Sequence, residues 1–258
     1  MKKTSDGPFQ IMIGKETLGA YLAIPKSGSG PGVMVLHSWW GLTPFYGALC
    51  ERLAARGFVA MAPDFYDGAT AQTAIEARRL RDALDDRATS RLLVSAAKHL
   101  QAHPETGDLP MATLGVSLGC RWALALAEAM PEDVAATVVF YGLQRGRYRR
   151  SRAAFLGHFG MTDPLTPLKE IRALEAALKN IGCDVSFEIY DHVGHSFFET
   201  DRPEAYDPGA ATLAWNRTLR FLHEKLDVPA APRKPAPKNP RRGSLPAPDG
   251  PIVRPLWP

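Results

Sequence analysis

Apolar and polar residues follow two periods along this chain, and the change from one to the other marks out the elements. PFQIMI and GAYLAIP read as an opening hairpin. GVMVLHS, residues 32–38, is a continuous apolar run of the kind found in a strand buried on both faces. TPFYGALCERLAARG has proline near its start, apolar residues at helical spacing and Gly57 as its stop, which predicts a helix. FVAMAPDF predicts the next strand, and residues 71–102 predict one long or two short amphipathic helices, rich in Arg and Ala and closed by Pro104. MATLGVS then predicts a strand, SLGCRWALALAEAM a helix, and VAATVVFYG and AAFLGHFG two further strands. LKEIRALEAALKNIG is an amphipathic helix ending in glycine, VSFEIYD the last strand, and AATLAWNRTLRFLHEKL the last helix. Strands and helices that alternate so regularly imply βαβ units, hence an α/β fold with a mainly parallel sheet and helices on both faces. No insertion is long enough for a cap domain, and residues 143–152 and 196–208 are left as candidate active-site loops.

Composition divides the chain in two. With 258 residues and 45% of them hydrophobic, residues 1–228 are expected to form one large domain. Residues 229–258 hold ten prolines and few core-forming side chains, which predicts a disordered, solvated tail, or a polyproline docking segment or tether to an anionic surface. Six of the 31 lysines and arginines lie in that tail against Asp249 alone of the 27 acids, so the domain is close to neutral. A neutral body does not advertise nucleic-acid binding. MKKTSDGPFQ has no apolar stretch behind its lysines, so neither a secretory signal nor a membrane span is expected, and the location expected is cytoplasmic. Cys50, Cys120 and Cys183 are widely spaced and odd in number, which argues against a disulfide framework and a cysteine zinc site. No cofactor or metal is expected, and the chain is expected to act as a monomer or a small homo-oligomer.

Candidate chemistry begins at GVSLG. Gly115, Ser117 and Gly119 fit G-x-S-x-G between a strand and a helix, where a sharp turn exposes a nucleophile. A serine there is also a good N-cap, so context has to decide. A serine hydroxyl needs a base, and the base needs an acid to set its tautomer. FGMTDPLTP presents Asp163 in a turn after a strand, and YDHVGHSFF presents His195 in the loop after the last strand. The order Ser, Asp, His is that of the α/β-hydrolases. Asp163 can instead be a simple helix cap, Asp191 is a competing acid and His192 a competing base. HSWWGL follows the first buried strand, and its Trp39 N–H is the expected second oxyanion donor beside Leu118 N–H. Ser38, Trp40 and Phe197 are candidate substrate-pocket residues.

VMVLHSWWGL, APDFYDG, LGVSLG, FGMTDPLTP, GHSFF and AATLAWNRTLRFL resemble, in order, the blocks of the dienelactone hydrolase family of α/β-hydrolases, over roughly residues 9–226. The resemblance implies Ser117 as nucleophile, Asp163 as triad acid, His195 as triad base and Trp39 and Leu118 as oxyanion donors. The best-known members of that family carry cysteine as nucleophile and a glutamate at the position of Ser38 that helps to ionise the thiol. Here both are serine, and the replacements agree with each other: a thiol titrates near pH ~8.5 and can be held as thiolate, whereas a serine hydroxyl cannot. Lactone-opening members also carry a carboxylate-binding arginine shortly after the histidine, where this chain has Glu199. A carboxylate facing substrate there is expected to repel an anionic lactone. The arginines of QRGRYRRSR, residues 144–152, read as a solvated face. The expected activity is hydrolysis of a small-molecule carboxylic ester or lactone. The alternatives are a peptidase or amidase with the same triad, and a non-catalytic binding protein on a hydrolase fold.

Overall fold

The computed structural model describes residues 7–13, 16–107, 109–144, 146 and 148–226; the proline-rich tail of the sequence analysis lies outside the described residues. Among the described residues, eight strands form one sheet: β1 (Gly7–Ile13), β2 (Glu16–Ala23), β3 (Gly32–Leu36), β4 (Val59–Pro63), β5 (Met111–Val116), β6 (Val134–Phe140), β7 (Ala154–Gly160) and β8 (Val185–Tyr190). Their order is β1-β2-β4-β3-β5-β6-β7-β8. The opening hairpin pairs antiparallel with itself and with β4, and every other neighbouring pair is parallel.

Period-two alternation sends successive side chains of each central strand to opposite faces. On β3, Met34 and Leu36 enter one core with α3 (Asp86–Gln101), α4 (Gly119–Ala129) and α5 (Leu168–Asn180). Val33 and Val35 enter the other core with α1 (Pro44–Ala54) and α6 (Pro208–Leu226). Both faces are covered, which is why these strands read as unbroken apolar runs. Residues 71–102 form two helices, α2 (Ala74–Asp82) and α3. Thr73 and Glu76 make a capping box for the first, and Asp85 starts the second by accepting from Arg87 N–H and Ala88 N–H. No described helix is long and apolar enough to cross a membrane.

A parallel sheet delivers the loops after β3, β5, β6, β7 and β8 to one end. Register brings two of them together: Leu36 of β3 lies opposite Gly115 of β5, so the HSWWGL loop opens beside Ser117.

Candidate active site

Ser117 stands at the β5–α4 turn with φ +50°, a conformation that a side chain adopts only when its surroundings enforce it. The enforcement is steric. A Cβ on Gly115 would lie 2.6 Å from Cys120 Cα, and one on Gly119 would lie 2.1 Å from the Leu36 carbonyl oxygen. Only glycine at both positions lets β5, α4 and β3 approach this closely. Ser117 N–H donates to the Phe140 carbonyl at 2.9 Å, which ties the turn to β6. The N-terminus of α4 follows directly, with its positive dipole end at the serine.

Two loops from neighbouring strands complete a relay. His195 Nε2 lies 2.7 Å from Ser117 Oγ, and His195 Nδ1 lies 2.8 Å from Asp163 Oδ2. Asp163 is buried and also accepts from Thr166 Oγ1–H at 2.7 Å and Leu165 N–H at 2.8 Å. Capping its own turn and orienting the imidazole are therefore done by the same side chain. Burial pushes the Asp163 carboxyl up, but the hydrogen bond and charge of His195 and the donors from Thr166 and Leu165 outweigh it and leave the group below its ordinary value. An ionised carboxylate only accepts, so His195 Nδ1 carries the proton and Nε2 faces Ser117 Oγ–H as acceptor. Asp191 and His192, the competing acid and base, are exposed in the preceding turn.

A cleft of about 140 Å³ opens above this relay, lined by Trp39, Arg78, Arg81, Ser117, Leu118, Leu165 and His195. Among the described residues, neither Trp39 N–H nor Leu118 N–H donates to a protein acceptor. Of the other expected pocket residues, none lines the cleft. Ser38 and Phe197 are wholly buried beneath it, and half-buried Trp40 packs under the Arg202 guanidinium at 3.9 Å. The described residues of 143–152 do not line it either, and Arg152 there pairs with Glu132.

Arg78 and Arg81 of α2 were not singled out by the sequence. Their i, i+3 spacing puts them on one helix face, but only the packed structure turns that face toward the serine. Glu199 is a correction in the opposite direction. Its carboxylate does not face substrate: it is 1% exposed and accepts from Ser38 Oγ–H at 2.7 Å, Tyr46 O–H at 2.9 Å and Tyr141 O–H at 3.1 Å. Ser196, three residues before it, has φ +64° and accepts from Glu199 N–H at 3.1 Å. The repulsion expected for an anionic substrate therefore has no source at this position. Among the described residues, no group of three or more His, Cys, Asp or Glu is placed to hold a metal ion.

The family model of the dienelactone hydrolases matches residues 18–226. Protein usf of Aquifex pyrophilus is 31% identical over 215 residues, which span 80% of this chain and 93% of that protein. A carboxymethylenebutenolidase of Rhodococcus opacus is 30% identical over 226 residues, 81% of this chain and 87% of the other. The crystal structure of a dienelactone hydrolase from Anabaena variabilis superposes with a TM-score of 0.65 at 22% identity, covering 87% of this chain and 100% of that one. By fold and by sequence, the chain belongs to the dienelactone hydrolase family of α/β-hydrolases.

Proposed function

We propose that this protein hydrolyses a carboxylic ester or lactone through an acyl-enzyme on Ser117. The observation that carries the reading is the continuous relay from Ser117 Oγ through His195 to Asp163, at 2.7 and 2.8 Å, on the floor of one cleft. In the first step His195 Nε2 takes the Ser117 proton as Oγ attacks the substrate carbonyl, and Asp163 stabilises the imidazolium. Trp39 N–H and Leu118 N–H donate hydrogen bonds to the developing oxyanion. Collapse expels the alcohol, which receives the proton from His195 and stays tethered in the case of a lactone. Water, deprotonated by the same imidazole, then releases the acid and restores Ser117.

Arg78 and Arg81 in the cleft wall favour a substrate that carries negative charge near the scissile bond. Arg81 shares its charge with Asp82, to which its Nε–H donates at 2.9 Å. An anionic ester or lactone is thus the preferred class.

Two measurements test the reading. A fluorophosphonate is expected to add once to the protein, on Ser117, and Ser117→Ala to lower kcat by roughly 10⁴-fold with the fold intact; no adduct, or a fall under tenfold, refutes the nucleophile. Replacing both Arg78 and Arg81 by Gln is expected to raise KM for a carboxylate-bearing ester about tenfold and to leave a neutral ester unaffected. Equal effects on both esters refute the charge preference.

A further inference from the structure

Trp39 N–H belongs to the peptide joining Ser38 to Trp39, and in a trans peptide the carbonyl and the following N–H point in opposite directions. Whatever holds the Ser38 carbonyl therefore aims the Trp39 N–H. That carbonyl accepts from His37 Nδ1–H at 2.8 Å and from Gly41 N–H at 3.2 Å. His37 is wholly buried and stacked on Phe65, with ring centroids 3.5 Å apart. Its Nε2 accepts from Phe65 N–H at 3.3 Å, which leaves the proton on Nδ1. Asp64 Oδ1 stands 3.7 Å from the same Nε2, beyond hydrogen-bond reach. Burial lowers the His37 pKa to about 3, so the ring stays neutral and the arrangement does not change with ordinary pH.

Ser38 is held at its other polar groups too. Its N–H donates to Tyr46 Oη at 2.8 Å and its hydroxyl to Glu199 Oε1 at 2.7 Å. Tyr46 in turn donates to Glu199 Oε1, and Tyr141, whose ring lies 4.9 Å from that of His195, donates to Oε2. A buried carboxylate is costly unless it is hydrogen-bonded. This one is bonded to the loops after β3 and β6 and to α1, and comes from the loop that carries His195.

We infer that His37 and Glu199 are positioning residues that, acting through Ser38, aim the Trp39 amide at the oxyanion. The inference rests on the Ser117 acyl-enzyme reading, and neither residue touches the substrate. It explains why Ser38, the residue beside the cleft, is itself wholly buried and has its N–H, carbonyl and hydroxyl all engaged.

The test compares His37→Phe, which keeps a ring on Phe65 but removes the donor, and Glu199→Gln with the unaltered protein. Substrates are p-nitrophenyl acetate and its thiono analogue, in which sulfur replaces the carbonyl oxygen; kcat, KM and thermal unfolding are recorded for each. Sulfur is a weak hydrogen-bond acceptor, so an aimed amide favours the oxygen ester and a misaimed one loses that preference. Each variant is expected to lose about 10- to 100-fold in kcat on the oxygen ester with KM within about threefold. The loss on the thionoester is expected to be smaller, so that the ratio between the two substrates shrinks. Unchanged kcat, or an equal loss on both substrates, overturns the inference. Should either variant fail to fold, Ser38→Ala, which cuts only the hydroxyl link, is read by the same ratio and the same criterion. Failure of the underlying reading is seen separately, as absence of the Ser117 adduct on the unaltered protein.

Discussion

Two buried carboxylates stand at the same end of the sheet and are held by opposite means. Asp163 meets an imidazole, a hydroxyl and a backbone N–H, and ends below its ordinary pKa despite its burial. Glu199 meets three hydroxyls; burial pushes its pKa up, and the hydrogen bonds from Ser38 and Tyr46 and the nearby His195 offset only part of that rise. The difference lies in the partner. A group that can take up positive charge lets a buried carboxylate remain ionised, whereas neutral donors satisfy its lone pairs without balancing its charge. Under the proposed acyl-enzyme mechanism, the Asp163 region stabilises a charge that appears during the reaction, and the Glu199 region holds a backbone still.

The widest separation between the regions is expected in kcat. Asp163→Asn, which leaves the volume unchanged but favours the wrong imidazole tautomer, is expected to lower kcat by about 10³- to 10⁴-fold, against at most about 100-fold for Glu199→Gln. Steady-state kinetics of the two variants side by side decide it, and equal losses would erase the distinction.

Deleting one hydroxyl from each region sharpens the contrast in stability. Thr166→Val removes a donor to an ionised carboxylate and is expected to cost about 2 kcal/mol at neutral pH, while Tyr141→Phe is expected to cost about 1 kcal/mol. Urea unfolding midpoints at a common slope provide the comparison.

The smallest effect, and the one that depends most directly on charge, is on the pH dependence of folding. Asp163, depressed in the fold, contributes stability that is present above its unfolded pKa of about 3.9 and is lost as pH falls through the lower folded value. Glu199, raised in the fold, is best accommodated below its unfolded pKa of about 4.3, and its contribution declines as pH rises from there through the folded value. Relative to the unaltered protein, Asp163→Asn should therefore lose ground, and Glu199→Gln gain it, as pH rises from 3 to 7. Thermal unfolding across that range checks both signs, and slopes of the same sign would contradict the assignment of the two environments.

Ser117, Asp163 and His195 were legible because each follows an apolar strand in a short turn with its own local signature: glycines around the serine, Asp-Pro after β7, Gly-His after β8. Parallel strands carry such turns to one end without further information. Glu199 departs from the expectation for a related reason. Its offset from His195 places it near the site, but an offset does not say which way a side chain points. Glu199 points inward, where Tyr46 and Tyr141 arrive from residues 153 and 58 positions away in sequence. Phe197 goes into the same interior, and Trp40 packs under Arg202, so neither of these expected pocket aromatics lines the cleft.

By itself, the sequence determined the βαβ order, the split of residues 71–102 into no more than two helices, and the turns that carry serine, acid and histidine, since these depend on periodicity and on glycine and proline within a few residues. Tertiary structure alone decided which face of α2 lines the cleft, that Arg78 and Arg81 supply its charge, and that His37, Tyr46, Tyr141 and Glu199 close on Ser38. Those outcomes depend on long-range packing and on the direction of side chains across it, which no local pattern encodes.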